Sequence, residues 1–138
     1  MEKIRRSWNS STKSKKQRKF RANAQWHIRR KFFSANLSEA IRKKYSKRSF
    51  PLRKGDTVRI MKGEFCGKTG KVIGFNLRKL MVYIEGIQRN KKDGTKINVP
   101  IHPSNLQITE MALEDKKRVG ALERKKVIAA KKSEDEKK

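Results

Sequence analysis

Between Lys54 and Ile73 the chain reads Lys54-Gly55-Asp56-Thr57-Val58-Arg59-Ile60-Met61-Lys62-Gly63-Glu64-Phe65-Cys66-Gly67-Lys68-Thr69-Gly70-Lys71-Val72-Ile73, with lysines set beside glycines. Glycine permits positive φ and lets a backbone approach a partner closely. Lys62, Lys68 and Lys71 add ammonium groups that reach phosphate oxygens. With Gly55, Gly63, Gly67 and Gly70 they form a candidate anion-binding loop. The plainer alternative is that the glycines only shape a hairpin, and spacing alone leaves both readings open.

Other cations cluster outside this loop. Lys15, Lys16, Arg18, Lys19 and Arg21 crowd one short run, and Arg29, Arg30 and Lys31 follow. Arg42, Lys43, Arg48, Arg53 and Lys54 continue the series towards the loop. Phosphate contacts of this kind position a protein on nucleic acid without reading its sequence. A solvated arm or a nuclear-import-type patch is the bland alternative. Trp26 beside Arg29–Lys31 could stack on an unpaired base or pack on a helix. Trp8 could be a wedge or a passenger. His102 could touch RNA from a loop or bond its own turn, and the turn is the better reading.

Nucleophilic chemistry is poorly served. Cys66 with His27 or His102 would be a nucleophile and base, but no orienting acid accompanies them. The lone cysteine excludes an internal disulfide and a cysteine-based zinc cluster. No catalytic residue, metal or cofactor is expected.

The whole chain is cationic. It has 138 residues with 39 Lys/Arg against 13 Asp/Glu, a formal net charge of +26. Residues 1–50 carry +15, residues 51–110 carry +7 and residues 111–138 carry +4. Hydrophobic residues are only 34% and charged residues 38%, so a small core with solvated or partner-bound arms is expected. Such a charge repels itself and calls for a polyanion. A membrane is the weaker candidate. The longest useful apolar run, Leu80–Ile84, is far too short to span one. Neither a signal-peptide core nor a lipidation box is visible. A reducing cytosol fits.

The elements that must hold these residues follow from periodicity. Lys13–Arg21 is too charged to bury anything and should be extended when free. Ala24, Ile28 and Phe32 recur at helical spacing. A second short helix should start at Ser38, with Glu39 in its first turn and Leu37, Ile41 and Tyr45 on one face. Pro51 ends it by biasing Phe50 to extended backbone. Period-two alternation then predicts strands around Val58/Ile60, Gly70–Phe75, Leu80/Val82/Ile84, Ile97/Val99/Ile101 and Leu106/Ile108. Asp93-Gly94 is a turn signal. Five short strands suggest a small antiparallel barrel, and Pro100 and Pro103 fit a strand end and its loop. The last third reads as a polar helix anchored by Val119 and Leu122, with Glu114 and Arg118 as an i,i+4 pair. Residues 133–138 should be disordered.

The stretch Lys54–Val72 resembles a KOW motif, which ribosomal proteins and transcription elongation factors share. The flanks separate these. Leu37-Ser38, Ile41-Arg42-Lys43-Lys44-Tyr45 and Arg48-Ser49-Phe50-Pro51-Leu52-Arg53 are similar to the helix and linker preceding KOW in the universal large-subunit ribosomal protein twenty-four family. Eukaryotes number that protein twenty-six. Tyr83-Ile84-Glu85-Gly86, Asp93-Gly94-Thr95 and Ile101-His102-Pro103-Ser104-Asn105 also resemble its archaeal and eukaryotic form. The resemblance covers roughly residues 15–125. Cys66 is a local departure, standing where a polar or basic side chain is expected.

The resemblance implies an SH3-like barrel bound to large-subunit ribosomal RNA near its 5′ domain, early entry into subunit assembly, and a place near the peptide exit tunnel. The resulting expectation is a mainly β protein. Residues 1–50 form a basic N-terminal arm with short helices. Residues 51–110 form a five-stranded SH3-like KOW barrel. Residues 111–138 form a charged C-terminal helix and tail. Partners would be ribosomal RNA, neighbouring large-subunit proteins and factors at the exit tunnel, with no membrane insertion. The location would be cytoplasmic in the ribosome, with nucleolar assembly in a eukaryote. The alternatives are a KOW-bearing elongation or antitermination factor, which needs a mixed α/β domain before its KOW module, and an RNA-modifying enzyme, which needs a catalytic constellation.

Overall fold

The computed structural model describes residues 10–124. Trp8 and the segment 133–138 lie outside the described residues. A sheet forms the core, with short helices at both ends and one between its first two strands. In chain order come α1 (Ser14–Asn23), α2 (Trp26–Phe32), β1 (Ser34–Leu37), α3 (Glu39–Tyr45), β2 (Ser49–Pro51), β3 (Thr57–Ile60), β4 (Thr69–Asn76), β5 (Met81–Ile84), β6 (Gln88–Asn90), β7 (Lys96–Asn98) and β8 (Leu106–Glu110). A 3-10 turn at Pro103–Asn105 precedes β8, and α4 covers residues 116–124.

Six strands form one mixed sheet in the order β2-β1-β8-β3-β4-β5, and β6 with β7 forms a separate two-stranded hairpin. Alternation drives the pairing. Val58 and Ile60 of β3 and Leu106 and Ile108 of β8 are all buried, and these strands pair antiparallel, Val58 with Ile108 and Ile60 with Leu106. The core adds Phe33, Ala35, Leu37, Leu52, Val72, Val82, Ile84, Ile87 and Ile101. Each fully buried aliphatic side chain contributes about 1.5–3 kcal/mol relative to exposure. The main sheet does not close as a continuous ladder. The outer edge of β5 meets Ile101 through an isolated bridge, held by Val82 N–H to Ile101 O at 2.8 Å and Ile101 N–H to Val82 O at 2.9 Å.

Several elements differ from the sequence expectation. The Lys13–Arg21 run is helical, not extended, because Phe20 is buried and meets Phe32 edge-on with centroids 5.7 Å apart. Ala24 does not share a helix with Ile28 and Phe32. It caps α1, and the backbone is extended at Ala24 and Gln25 before α2 begins. Leu37 belongs to β1, not to the face of α3, and pairs in parallel with Ile108. Ser38 does precede α3, though without a side-chain cap bond. Three strands, β1, β2 and β6, were not expected. β1 and β2 join the main sheet rather than a separate α/β domain, and Pro51 is tolerated because β2 is the edge of that sheet, while β6 pairs with β7. Leu80 has φ +55 and sits in the turn before β5. Ile97 is 43% exposed because its strand pairs only within the small hairpin.

The acidic residue of Lys54-Gly55-Asp56 is structural. Asp56 is fully buried and faces Arg118, 3% exposed. Arg118 Nη1 donates to Asp56 Oδ1 at 2.7 Å and Nη2 to Oδ2 at 2.6 Å. Backbone N–H groups of Arg53 and Ala112 donate to the same carboxylate at 2.9 and 3.1 Å. Arg118 also donates to Ala112 O at 2.9 Å and lies over the Phe50 ring at 5.6 Å. The expected Glu114–Arg118 pair is therefore replaced by a buried, bidentate one that ties α4 to the sheet. Leu122, fully buried, completes the attachment.

Candidate nucleic-acid interface

The arm carries the densest charge. No Asp or Glu occurs between Glu2 and Glu39. On α1, Lys15/Lys19, Lys15/Arg18 and Arg18/Arg21 are i,i+4 or i,i+3 neighbours, an arrangement that destabilises an isolated helix. Lysines at its N-terminal end also oppose the helix dipole. Lys15, Lys16, Arg18 and Arg21 are exposed, so this helix gains from a polyanion beside it.

Helix α2 carries its three cations differently. Arg29 is turned inward as a clasp. Its Nε donates to Ala24 O at 2.9 Å, Nη2 to Ala22 O at 2.6 Å and Nη1 to Arg78 O at 3.1 Å. It thus satisfies carbonyls at the end of α1 and fixes α2 against the β4–β5 turn. Arg30 and Lys31 remain exposed. Trp26 is 59% exposed, which removes its packing alternative.

Arg30 converges with Arg53 and Lys54 around a cleft of about 460 Å³, lined also by Phe33, Leu52, Phe75 and Leu77. Phe33 and Phe75 lie with centroids 5.1 Å apart and planes at 53°. Arg53 Nη1 donates to Asp115 Oδ2 at 2.6 Å. This bond, with the Lys117 N–H, holds the Asp115 carboxyl below its usual range.

The β3–β4 hairpin supplies the second cationic site. Gly63 has φ +100 and Gly67 φ +84, and a Cβ on either would meet open space. Gly55, φ +85, turns the chain into β3. Gly70 serves another purpose. Its φ is not positive, but an added Cβ would stand 2.7 Å from the Glu85 carbonyl oxygen and 2.8 Å from Ile84 Cγ2, so glycine here permits close strand packing. Lys62, Lys68 and Lys71 are exposed. The Lys68 ammonium lies over Phe65, 5.1 Å from the ring centroid, an exposed cation–π contact of about 0.5–1 kcal/mol. Lys62 and Gly63 border a cleft of about 220 Å³ with Phe65, Pro100 and Asn105. Glu64 pairs with Arg89 of β6, bracing this hairpin against the small one.

The remaining candidates are dispersed. Arg42 Nε donates to Leu37 O at 2.8 Å. Lys43 pairs with Glu39 at 2.9 Å in solvent, a contact worth little. Arg48 is exposed. His102 Nδ1 lies 2.8 Å from Ser104 Oγ and accepts from Ser104 N–H at 3.3 Å, capping the 3-10 turn. This is the turn-bonding role expected of it. Cys66 Sγ donates to Met61 O at 3.1 Å within the hairpin loop. Among the described residues no group of three His, Cys, Asp or Glu could hold a metal, and no helix is long and apolar enough to cross a membrane.

The anchoring role of Asp56 and Arg118 escaped the sequence reading. No local pattern joins residues 62 positions apart. The cleft escaped it too, because its lining comes from three separate segments.

Comparison with known proteins places this arrangement in a wider set. Residues 11–125 match the family model of the ribosomal proteins called L26 in eukaryotes and L24p in archaea. The chain is 46% identical over 117 residues to the large ribosomal subunit protein uL24 of Korarchaeum cryptofilum, covering 85% of this chain and 89% of that one. It is 44% identical over 115 residues to the uL24 of Methanosphaera stadtmanae, covering 83% of this chain and 98% of that one.

Proposed function

Because the chain belongs to the family of ribosomal proteins called L26 in eukaryotes and L24p in archaea, we propose that it is a structural component of the large ribosomal subunit that binds ribosomal RNA. The role is not enzymatic. The observation that carries the RNA reading is the charge of the arm, which holds no carboxylate from residue 3 to residue 38. The arm and the Gly63–Lys68 loop neutralise phosphates, and the sheet sets their separation. The contact set consists of Lys15, Lys16, Arg18, Lys19, Arg21, Arg30, Lys31, Arg48, Lys54, Lys62, Lys68 and Lys71. Arg29, Arg42 and His102 act behind them by bonding backbone, and Arg53 by bonding the Asp115 carboxylate.

The finer placement is near the 5′ domain of the RNA, close to the peptide exit tunnel, with entry early in subunit assembly. Neighbouring large-subunit proteins and exit-tunnel factors are further partners, and the protein works in cytoplasmic ribosomes. The module is an SH3-like barrel whose closure runs through the Val82–Ile101 bridge. Residues 1–50 serve as arm, 51–110 as barrel and 111–138 as helix and tail, with β1 and β2 lent to the sheet by the arm.

Salt-dependent co-sedimentation with purified large subunits tests the reading. The protein should pellet at low salt and be released steeply, each neutralised phosphate adding about 0.7–0.9 to the log-log slope. Failure to pellet with large subunits, or a slope near zero, refutes it.

A further inference from the structure

The cleft between α2, the turn before β3 and the end of β4 combines two chemistries. Its floor is apolar and aromatic, from Phe33, Leu52, Phe75 and Leu77, and its rim is cationic, from Arg30, Arg53 and Lys54. No carboxylate lines it. Phe75 rests on the buried Phe33 ring, yet is itself 37% exposed. It is thus held in place by Phe33 while still offering surface to a ligand. The volume, about 460 Å³, falls within the roughly 300–1,000 Å³ of small-ligand clefts.

Each simpler occupant satisfies half of this lining. An apolar side chain of a neighbouring protein would cover the floor and leave Arg30 and Lys54 unanswered, Arg53 being paired with Asp115. A phosphate of a paired RNA helix would answer the cations and leave Phe75 in water. A nucleotide turned out of its stack satisfies both, with its base against Phe75 and its flanking phosphates on Arg30 and Lys54. Both of these cations are exposed and make no ion pair among the described residues. We infer that this cleft takes one unstacked nucleotide of the bound RNA. The inference rests on the RNA-binding reading and adds that recognition includes an unpaired base.

The test uses the full chain and two RNA hairpins of equal length closed by the same non-nucleotide linker, one fully paired and one with a single bulged nucleotide. At fixed salt the bulged hairpin should bind more tightly by about five- to 150-fold, the range base–aromatic stacking provides. Phe75→Leu keeps the contact with Phe33 and removes the ring. It should abolish the preference and leave affinity for the paired hairpin unchanged, whereas Phe75→Tyr should retain the preference. Equal binding of both hairpins by the parent overturns the inference and leaves RNA binding intact. So does a preference that survives Phe75→Leu, or a Phe75→Leu loss equal for both RNAs. Binding of neither hairpin overturns the RNA reading itself.

Discussion

Asp56→Ala should destabilise the protein severely while sparing the RNA contacts of whatever remains folded. The carboxylate accepts four hydrogen bonds, from Arg53 N, Ala112 N and both terminal nitrogens of Arg118. Both partners of the ion pair are buried. Removing one partner of such a pair leaves an uncompensated charge and costs about 3–5 kcal/mol. With a urea m-value of about 1.5 kcal/mol/M, the unfolding midpoint should fall by roughly 2–3 M. Arg118→Met keeps a stem against Phe50. The double variant Asp56→Ala/Arg118→Met should lose less than the two single losses added together, because the buried charge has gone. RNA affinity of folded Asp56→Ala, corrected for the unfolded fraction, should match the parent. A midpoint within about 0.5 M of the parent, about 0.8 kcal/mol at that m-value, would refute the reasoning. So would strictly additive losses in the cycle.

Other consequences follow from the same geometry. Gly70→Ala should cost about 1–3 kcal/mol by overpacking against the Glu85 carbonyl, seen as a lowered urea midpoint. A Cβ at Gly67 meets nothing within 4 Å, but Gly67→Val strains a φ of +84, so it should cost about 1–2 kcal/mol and loosen the RNA loop. Asp115, whose carboxyl is held low by Arg53 and then by the Lys117 N–H, contributes stability that is present above its unfolded value near 3.8 and is lost as pH falls through the lower folded value. Arg53→Ala should therefore flatten the acid limb below about pH 4, measured by urea titration at each pH, and leave the slope between pH 5 and 7 unchanged. Deleting residues 1–24 should leave cooperative melting of the sheet and weaken RNA binding. In the free protein, amides of α1 should exchange quickly, because an isolated ten-residue helix is marginal. Strong protection there would mark the arm as a stably folded unit.

The sequence displayed the strands that carry their own alternation. Val58/Ile60 and Leu106/Ile108 are regular enough to be read without partners. The positive φ at Gly63 and Gly67, the start of α3 after Ser38, and the family itself were also legible. β1 was not, because Ser34-Ala35-Asn36-Leu37 offers two apolar residues and poor strand formers, and only pairing with β2 and β8 makes it a strand. α1 was missed because its charge outweighs its single buried anchor, Phe20. Ile97 alternated correctly but belongs to a hairpin with no face to bury. The dual character of the candidate site, with Arg29 turned inward and Arg30 outward on one helix, depends on where the Ala22, Ala24 and Arg78 carbonyls lie. Residue type alone could not separate the two arginines.

Photo-crosslinking within intact large subunits, with the crosslinked peptides identified by mass spectrometry, tests the central claim most directly. The account predicts RNA adducts on peptides containing Lys15–Arg21, Arg30–Lys31, Lys54 and Lys62–Lys71. It predicts few on the β6–β7 hairpin. Adducts confined to that hairpin, or none on the arm and the Gly63–Lys68 loop, would contradict it.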